Sequence, residues 1–248
     1  MAKNVLLIAM NQKLNEIKKI EKISQWYTGK NWGFYTKLVY FDFLSLKPYF
    51  KKGNALEMGC ADGAMTQYLV KVFNDLSVVD ASKRYINKVT KTYSFIKGYA
   101  SLFENFKPPE KYKNIIMAHI LEHVNNPIRC FKKAKKYLQD DGVILIIVPN
   151  ANSLHRQAGV KMGLLKKCTD LNKADKKIGH RRVYTIDSLK RDIKKAGFKI
   201  RKTGGVFLKP LSNQQIDQDW SEKMINAFYE LGKEYPEIAA EIFVVCVL

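Results

Sequence analysis

The stretch Leu56-Glu57-Met58-Gly59-Cys60-Ala61-Asp62-Gly63 decides the fold of this chain. It follows an apolar run that begins at Ala55 and precedes a segment of helical spacing, so it lies where a first strand turns into a first helix. Gly59 lets the backbone turn sharply and approach a ligand, and Gly63 lets the helix begin close to the strand. Open α/β sheets bind ligands at the carboxyl ends of such strands. The stretch therefore predicts a ligand-binding loop.

Beyond this loop, short apolar runs alternate with longer helical periods, a pattern typical of a parallel, doubly wound sheet. The predicted strands are Ala55–Met58, Leu76–Val79, Ser94–Lys97, Asn114–Ala118, Val143–Val148, Phe198–Phe207 and Glu241–Leu248. The predicted helices between them are Ala64–Phe73, Lys83–Thr90, Ile128–Leu138 and Ile186–Ala196.

Two segments depart from this alternation. Isoleucines 17, 20 and 23 recur at helical spacing among lysines, and an aromatic stretch follows them. We expect residues 1–50 to form a helical and aromatic N-terminal cap, and residues 51–248 to form the main domain. The alternation pauses for about 35 residues after Pro149, which is long for a connection in an α/β fold. We expect residues 150–185 to form a lid insertion.

The residues of the loop and of the next strand end indicate a nucleoside cofactor. A dinucleotide fingerprint needs glycines at 59, 61 and 64, but positions 61 and 64 are alanine, which disfavours NAD and FAD. Glu57 would repel a pyrophosphate but can hold an ammonium group. Asp80 closes the second strand, where a carboxylate can accept both hydroxyls of a ribose. Each feature alone is common in turns and helix caps; in this order they predict a cofactor with a ribose and an amino acid.

Glu57, Gly59, Gly63 and Asp80 together resemble the class I S-adenosylmethionine-dependent methyltransferases, over about residues 50–205. The resemblance implies a Rossmann-like sheet of seven strands, mostly parallel with an antiparallel last strand. It also implies S-adenosylmethionine as cofactor and S-adenosylhomocysteine as product. The cofactor-binding residues it implies are Glu57, Gly59, Cys60, Ala61, Gly63, Asp80, Ala81, Ser82, Ala118 and His119. Ala61 departs mildly from the commoner glycine.

The segment Ala118-His119-Ile120-Leu121-Glu122-His123 follows the fourth strand and resembles the branch with ubiquinone-pathway and small-molecule O- and N-methyltransferases. We predict His119, His123 and His180 as catalytic residues, because imidazole accepts a proton near neutral pH from a hydroxyl or ammonium nucleophile. Two alternatives stay open. In the first, Glu122 and His123 have a purely structural role and cap the next helix. In the second, the cluster binds a divalent metal, as a similar motif does in some ubiquinone-pathway members. Our prediction is no metal.

The densest local charge lies in residues 155–182, where nine lysines and arginines face only Asp170 and Asp175. Because this segment follows the fifth strand, it should cover the mouth of the sheet and form the acceptor pocket. Arginine forks suit phosphate or carboxylate oxygens. The predicted substrate-binding residues are His155, Arg156, Arg181, Arg182 and Tyr184. The alternative for Tyr184 is packing beneath the lid.

Composition limits the class of protein. A chain of 248 residues with 46% apolar residues can bury one sizeable core. Its longest apolar runs are far too short to span a bilayer, and its start lacks the features of a secretory signal, so we expect a soluble cytoplasmic protein. The four cysteines lie far apart without a CxxC pair, which argues against a zinc ribbon or a disulfide framework.

The net charge of +20 would attract nucleic acid, an anionic membrane or a phosphorylated small molecule, although a lysine-rich solvated surface also accounts for it. The favoured function is methyl transfer to an oxygen or nitrogen of a small, anionic acceptor, either phosphorylated or nucleotide-linked. The first alternative is a nucleic-acid methyltransferase, which is less favoured because no Asp/Asn-Pro-Pro-aromatic motif follows the fourth strand. The second is a non-catalytic cofactor-binding protein, against which the intact loop and Asp80 argue. Nothing in the sequence predicts an oligomeric state.

Overall fold

A computed structural model describes residues 2–27 and 33–248 of the chain. The strands are β1 (Ala55–Met58), β2 (Leu76–Asp80), β3 (Lys97–Ala100), β4 (Tyr112–Ala118), β5 (Leu138–Pro149), β6 (Lys199–Val206) and β7 (Glu241–Val247). The helices are α1 (Ala2–Tyr27), α2 (Phe34–Leu46), α3 (Thr66–Leu69), α4 (Lys83–Thr92), α5 (Pro127–Tyr137), α6 (Leu154–Lys161), α7 (Lys173–Lys177), α8 (Ile186–Lys195), α9 (Asn213–Asp219) and α10 (Glu222–Glu234).

The strands form one seven-stranded sheet in the order β3-β2-β1-β4-β5-β7-β6. β7 runs antiparallel to β5 and β6, while all other neighbouring strands pair in parallel. The predicted Rossmann-like sheet with an antiparallel last strand is therefore confirmed. The strand order reverses between β1 and β4, and this is where such sheets open a crevice for ligands.

The central strands are buried on both faces because helices cover both sides of the sheet. Every residue of β1 and β2 is buried, which explains why these strands appear in the sequence as continuous apolar runs. The side chains of Val78 and Leu145 pack into a core on one face, and those of Leu56 and Ile115 pack into a core on the other.

Two predicted elements were wrong in position or length. β3 lies at Lys97–Ala100 rather than Ser94–Lys97, because it pairs in register with Ser77–Asp80 of β2 and its residues are too exposed to form an apolar run. The helix predicted at Ala64–Phe73 is α-helical only over α3. Past α3 the chain continues in tighter turns, with the amide of Val72 donating to the carbonyl of Leu69.

α2 packs into the core of the sheet. Leu38, Phe41 and Leu46 are buried in the same cluster as the strand residues, and the ring of Phe41 stacks on Tyr229 of α10 with the centroids 4.3 Å apart. Part of the predicted aromatic cap, residues 28–32, lies outside the described residues. A domain boundary at residue 50 stays a prediction, although α2 shares its core with the sheet.

The segment predicted as a lid, residues 150–185, contains α6 and α7 and returns to the sheet through a bridge between Asn150 and Tyr184. α7 begins with a capping box in which Asn172 and Asp175 exchange hydrogen bonds. Across the described residues, none of the helices is both long and apolar enough to cross a membrane.

Candidate active site

A cavity of about 1320 Å³ opens at the carboxyl ends of the parallel strands. Its floor is the sheet edge, and α1 and the lid form further walls, with Glu16 of α1 and His180 of the lid among the lining residues. We call the part beside Gly59 and Asp80 the β1–β2 end, and the part beside Lys209 and Glu241 the β5–β7 end. β4 lies between these ends in the sheet.

The glycine loop forms the wall of the β1–β2 end. Gly59 has φ +84°, and a Cβ atom there would lie 2.2 Å from Cγ2 of Ile120, so only glycine fits this turn. Ala61 also has a positive φ, of 44°. That conformation explains why glycine is the commoner residue at this place, although alanine occupies it here.

Asp80 supports the loop at the end of β2. Its Oδ2 accepts a hydrogen bond from the amide of Ala61 at 3.2 Å, and its Oδ1 accepts one from the amide of Ser82 at 2.8 Å. Burial raises the pKa of Asp80 to about 6, against the lowering effect of these two amides. At neutral pH Asp80 is therefore a buried carboxylate with lone pairs left for hydroxyl donors.

Glu57 lies at the end of β1, on the same wall. Its Oε2 accepts a hydrogen bond from the hydroxyl of Thr66 at 2.6 Å, whereas its buried Oε1 has no partner among the described residues. Burial raises its pKa to about 8. A buried carboxylate oxygen without a partner is costly, so this position fits a positively charged donor such as the ammonium of an amino-acid cofactor.

The structure brings most of the predicted cofactor residues to the cavity. Those that line it are Glu57, Gly59, Cys60, Ala61, Asp80, Ala81, Ala118 and His119. Gly63 and Ser82 do not. Gly63 turns the chain behind the loop at φ +97°, and Ser82 caps α4 by accepting from the amide of Tyr85. The hydroxyl of Ser82 also donates to Glu21, which fastens α1 to this end of the cavity.

His119 occupies the end of β4 with a left-handed backbone of φ +53°. Its Nε2 lies 2.8 Å from Oδ2 of Asp42, and its Nδ1 lies 3.5 Å from Oε1 of Glu122. Burial alone would lower the pKa of His119, but the hydrogen bonds to the two carboxylates outweigh it and raise the pKa well above its usual value. His119 is therefore an imidazolium held between two acids, without a free nitrogen for accepting a proton.

His123 and His180 meet across the cavity wall, with ring centroids 4.7 Å apart. His180 comes from the lid, so only the tertiary fold brings the two rings together. Burial lowers the pKa of His123 to about 4, and it is neutral at physiological pH. Glu122 lies beside them as a carboxylate, since the neighbouring histidines lower its pKa against the effect of burial.

Glu122, His123 and His180 form the donor set of a possible metal site. Each offers one ligand atom, and these atoms lie within 4.8 Å of one another. One carboxylate and two imidazoles suit a divalent transition metal, and Asp175 lies 3.2 Å from Nδ1 of His180, as a residue that orients a ligand would. The set therefore fits a metal chemically. His119 stands where the motif that the sequence resembles has a glutamate ligand, and it is paired with Asp42 instead. A metal-free site stays our prediction.

Arg156 is bound within the lid. Its Nε donates to the carbonyl of Cys168 at 2.8 Å and its Nη1 lies 3.2 Å from Asp175, while Nη2 donates to the carbonyl of Asp170. The guanidinium is buried, at 6% exposure. Arg156 lines the cavity. Its guanidinium group was predicted to bind an acceptor anion, but it binds groups of the lid instead.

Arg181 and Arg182 tie the lid to neighbouring segments. Arg181 makes a bidentate ion pair with Glu16 of α1, at 2.7 and 2.9 Å, and its Nε donates to the carbonyl of His123. Arg182 donates to three carbonyls of the loop after β4, those of Leu121, Val124 and Asn125, and it does not line the cavity. Both guanidinium groups are thus engaged by the protein.

His155 and Tyr184 have separate positions. His155 lines the β5–β7 end, and burial lowers its pKa to about 3, so it is a neutral imidazole. Tyr184 is 3% exposed and does not line the cavity. Its hydroxyl donates to Asp192 at 3.3 Å, which matches the alternative of packing beneath the lid.

The cofactor-like geometry of the β1–β2 end agrees with the protein family that the chain matches. Residues 34–203 match a family described as a methyltransferase domain. The chain belongs to this family. No curated protein sequence matches it.

Solved structures that resemble this methyltransferase domain include S-adenosylmethionine-dependent methyltransferases. The N-methyltransferase NodS from Bradyrhizobium japonicum WM9, in complex with S-adenosylhomocysteine, has 16% identity and a TM-score of 0.58, covering 94% of this chain and 97% of its own. A possible histamine N-methyltransferase from Thermotoga maritima has 17% identity and a TM-score of 0.63, covering 92% and 99%. The plantazolicin methyltransferase BpumL, bound to a desmethylplantazolicin analogue and S-adenosylhomocysteine, has 18% identity and a TM-score of 0.59, covering 94% and 98%.

Sequence reasoning missed several residues that line the cavity of this methyltransferase domain, and one, Asp42, that lies behind its wall and contacts His119. Leu102 and Phe103 line the β1–β2 end from the loop after β3, where no motif marks them. Asp42 is fully buried in the apolar helix α2. A single acid in such a helix is unusual, and it could have indicated a buried, paired carboxylate from the sequence alone. Lys209 follows β6 and Glu241 begins β7, far along the chain from the loop, and nothing in the sequence relates them to it.

Proposed function

We propose that this protein transfers a methyl group from S-adenosylmethionine to an oxygen or nitrogen of a small acceptor that carries an anionic group. The observation that carries the proposal is the β1–β2 end of the cavity. There a glycine turn, a ribose-competent Asp80 and the unpartnered Oε1 of Glu57 line one wall, at the switch point of the sheet where such ligands bind.

The residues of this end would hold the methyl donor by complementary chemistry. Asp80 would accept the two ribose hydroxyls with the lone pairs that its amide partners leave free. Oε1 of Glu57 would accept the ammonium of the methionine part, which removes the cost of its unpartnered burial. Bound there, S-adenosylmethionine supplies an electrophilic methyl group on a sulfonium.

The remaining residues act by positioning the acceptor and by excluding water. Methyl transfer is an in-line displacement, so most of the rate gain comes from orientation, and a base is needed only where the nucleophile carries a proton. His123 and His180 are candidates for substrate contact at the end of β4. His119, held as an imidazolium, would act as a fixed positive charge rather than as a base.

Support for an anionic group on the acceptor comes from lysines, since the predicted arginines are bound by the protein itself. Lys13 and Lys19 of α1, Lys177 of the lid and Lys209 line the cavity, and the first three are exposed to solvent. Their position around the opening fits an acceptor whose anionic part remains near solvent. Two structural neighbours are named for N-methylation, which is consistent with a nitrogen nucleophile here.

Calorimetry with S-adenosylmethionine and S-adenosylhomocysteine, with and without magnesium, is the first test. Micromolar binding of both would support the proposal, and a change caused by magnesium would favour a metal at the cluster of Glu122, His123 and His180. Absence of binding to either compound would contradict it. Strongly salt-dependent RNA binding would favour a nucleic-acid substrate instead.

A further inference from the structure

Glu241 reaches the cavity because β7 runs antiparallel to its neighbours. It is the first residue of β7 and lies opposite Pro149, the last residue of β5, and Val206, the last residue of β6. Because β7 runs opposite to both β5 and β6, its first residue lies at the edge of the sheet where β5 and β6 end. The backbone there is fixed, since the amide of Ala240 donates to Phe207 at 2.7 Å. Glu241 is thus presented rigidly at the β5–β7 end.

The carboxylate of Glu241 has no hydrogen-bond donor for one of its oxygens. It is 7% exposed, and its buried Oε2 has no partner among the described residues. Neither neighbouring cation donates a hydrogen bond to it: Lys209 donates to Asn213 at 2.9 Å and His119 binds Asp42, although the charges of both still act on Glu241. Within the part of the chain that the structure describes, no ion pair involves Glu241.

The unsatisfied oxygens along the cavity share one chemical character. Besides Oε2 of Glu241, the unpartnered buried carboxylate oxygens on its wall include Oε1 of Glu57 and Oε2 of Glu122. In the carboxylate form, each of these oxygens accepts hydrogen bonds and cannot donate one. Unpaired buried acceptors cost free energy, so the wall is complementary to a ligand rich in N–H donors. The oxygen of Glu57 fits the ammonium of the methyl donor, whereas Glu241 lies at the opposite end.

We propose that Glu241 binds the nucleophilic nitrogen of an amine acceptor as an ammonium and removes its proton before methyl transfer. This inference rests on the proposed function and narrows its acceptor to an amine, with the anionic group elsewhere in the same molecule. The amine would lie at the β5–β7 end and the anionic group near the lysines at the opening.

The step balances with the two substrates alone. One proton passes from the ammonium to Oε2 of Glu241, which frees the nitrogen lone pair. The nitrogen forms the new bond to the methyl carbon, and the electron pair of the broken carbon–sulfur bond stays on sulfur, which leaves S-adenosylhomocysteine. The product is a methylated ammonium, and the proton on Glu241 returns to solvent.

The surroundings of Glu241 suit a proton acceptor near neutral pH. Burial raises its pKa to about 8, and the carboxylates of Asp42 and Glu122 act in the same direction. The charges of His119 and Lys209 lower it, without reversing the effect of burial. The base form and an ammonium substrate therefore coexist over a narrow pH range.

The test compares amines with their hydroxyl analogues in the presence of S-adenosylmethionine. Benzylamine, putrescine and glycine are matched with benzyl alcohol, butanediol and glycolate, and S-adenosylhomocysteine formation is followed together with binding of each compound to the protein saturated with S-adenosylhomocysteine. We expect binding and turnover of amines, with glycine favoured by its carboxylate. Turnover confined to the hydroxyl compounds, or no binding and no turnover of any amine, would overturn the proposal.

The variant Glu241→Gln separates proton transfer from structure. It should lower turnover of the amine about 100-fold or more and keep the affinity for S-adenosylhomocysteine. It should also remove the rise of kcat/KM through pH 8 that we expect of the wild type, because Glu241 has a pKa of about 8. The matched control Glu237→Gln changes an exposed acid of the preceding loop that does not line the cavity, and should behave as wild type. Equal rates for Glu241→Gln and wild type would refute the role. If the wild type failed to bind S-adenosylhomocysteine, the proposed function itself would fail.

Discussion

Asp42 and His119 form a buried pair, with Oδ2 of Asp42 2.8 Å from Nε2 of His119. Asp42 is fully buried in α2, and His119 directly follows the last residue of β4. The pair joins a helix near the start of the chain to the centre of the sheet. Since Asp42 otherwise lies among apolar side chains, its charge depends on this one partner.

Replacing Asp42 by asparagine should lower the free energy of unfolding by about 3 kcal/mol, because it leaves a buried imidazolium with one acid fewer. The pKa of His119 is raised in the folded state, so the pair stabilises the protein fully below about pH 6.5, the unfolded value. That contribution is lost as the pH rises through the folded pKa. Urea denaturation near pH 6 and at high pH measures both effects. A constant difference between wild type and variant across this range would contradict the charge state of His119.

Asp80→Ala should weaken binding of S-adenosylhomocysteine about 10- to 100-fold, since it removes a charged acceptor of two hydroxyl hydrogen bonds. Asp62→Asn is the matched control, because Asp62 pairs with Lys88 and does not line the cavity. Calorimetry measures both variants. Unchanged affinity in Asp80→Ala would remove Asp80 from the ribose site.

The same site predicts a pH dependence in the wild type. The pKa of Asp80 in the free protein is raised to about 6, and the ribose requires the carboxylate form. Affinity for S-adenosylhomocysteine should therefore fall as the pH drops through 6 and be level above it. A calorimetric series from pH 5 to pH 8 tests this, and the decline should disappear in Asp80→Ala.

Gly59→Ala should destabilise the protein by about 1–3 kcal/mol and abolish cofactor binding, because the new Cβ would collide with Ile120 in a left-handed backbone. Gly163→Ala is a control for backbone strain alone: its φ is +75°, but no atom lies within 4 Å of its Cβ position. It should cost about 1 kcal/mol and leave binding intact. Equal losses in both variants would show that the close approach at Gly59 is unimportant.

Arg181→Ala should raise the KM for the acceptor without changing cofactor affinity, by releasing α1 from the lid. Glu16→Gln breaks the same ion pair from the other side and should produce the same change. A direct contact between Arg181 and an acceptor anion would instead leave Glu16→Gln with the KM of the wild type. Steady-state kinetics on both single variants and on the double variant distinguish the two roles, since the effects of a shared ion pair are not additive.

The sequence by itself determined the elements whose cause is local. β1, the glycine loop and β2 follow from a continuous apolar run, a residue that must adopt φ +84° and an acid at a strand end, all within 30 residues. The parallel sheet follows from the alternation of such units. β3 was misplaced because an exposed edge strand has no apolar pattern, and its position depends on pairing with β2.

Only the tertiary structure decided which side chains share the cavity and what their charges are. Arginines 156, 181 and 182 looked available to an anion in the sequence, but each is neutralised or hydrogen-bonded by groups that folding brings to it. Asp42 meets His119 across 77 positions, and Glu241 enters through the antiparallel insertion of β7. Local sequence encodes backbone conformation, whereas pKa values and ion pairs depend on distances between segments that are remote in the chain.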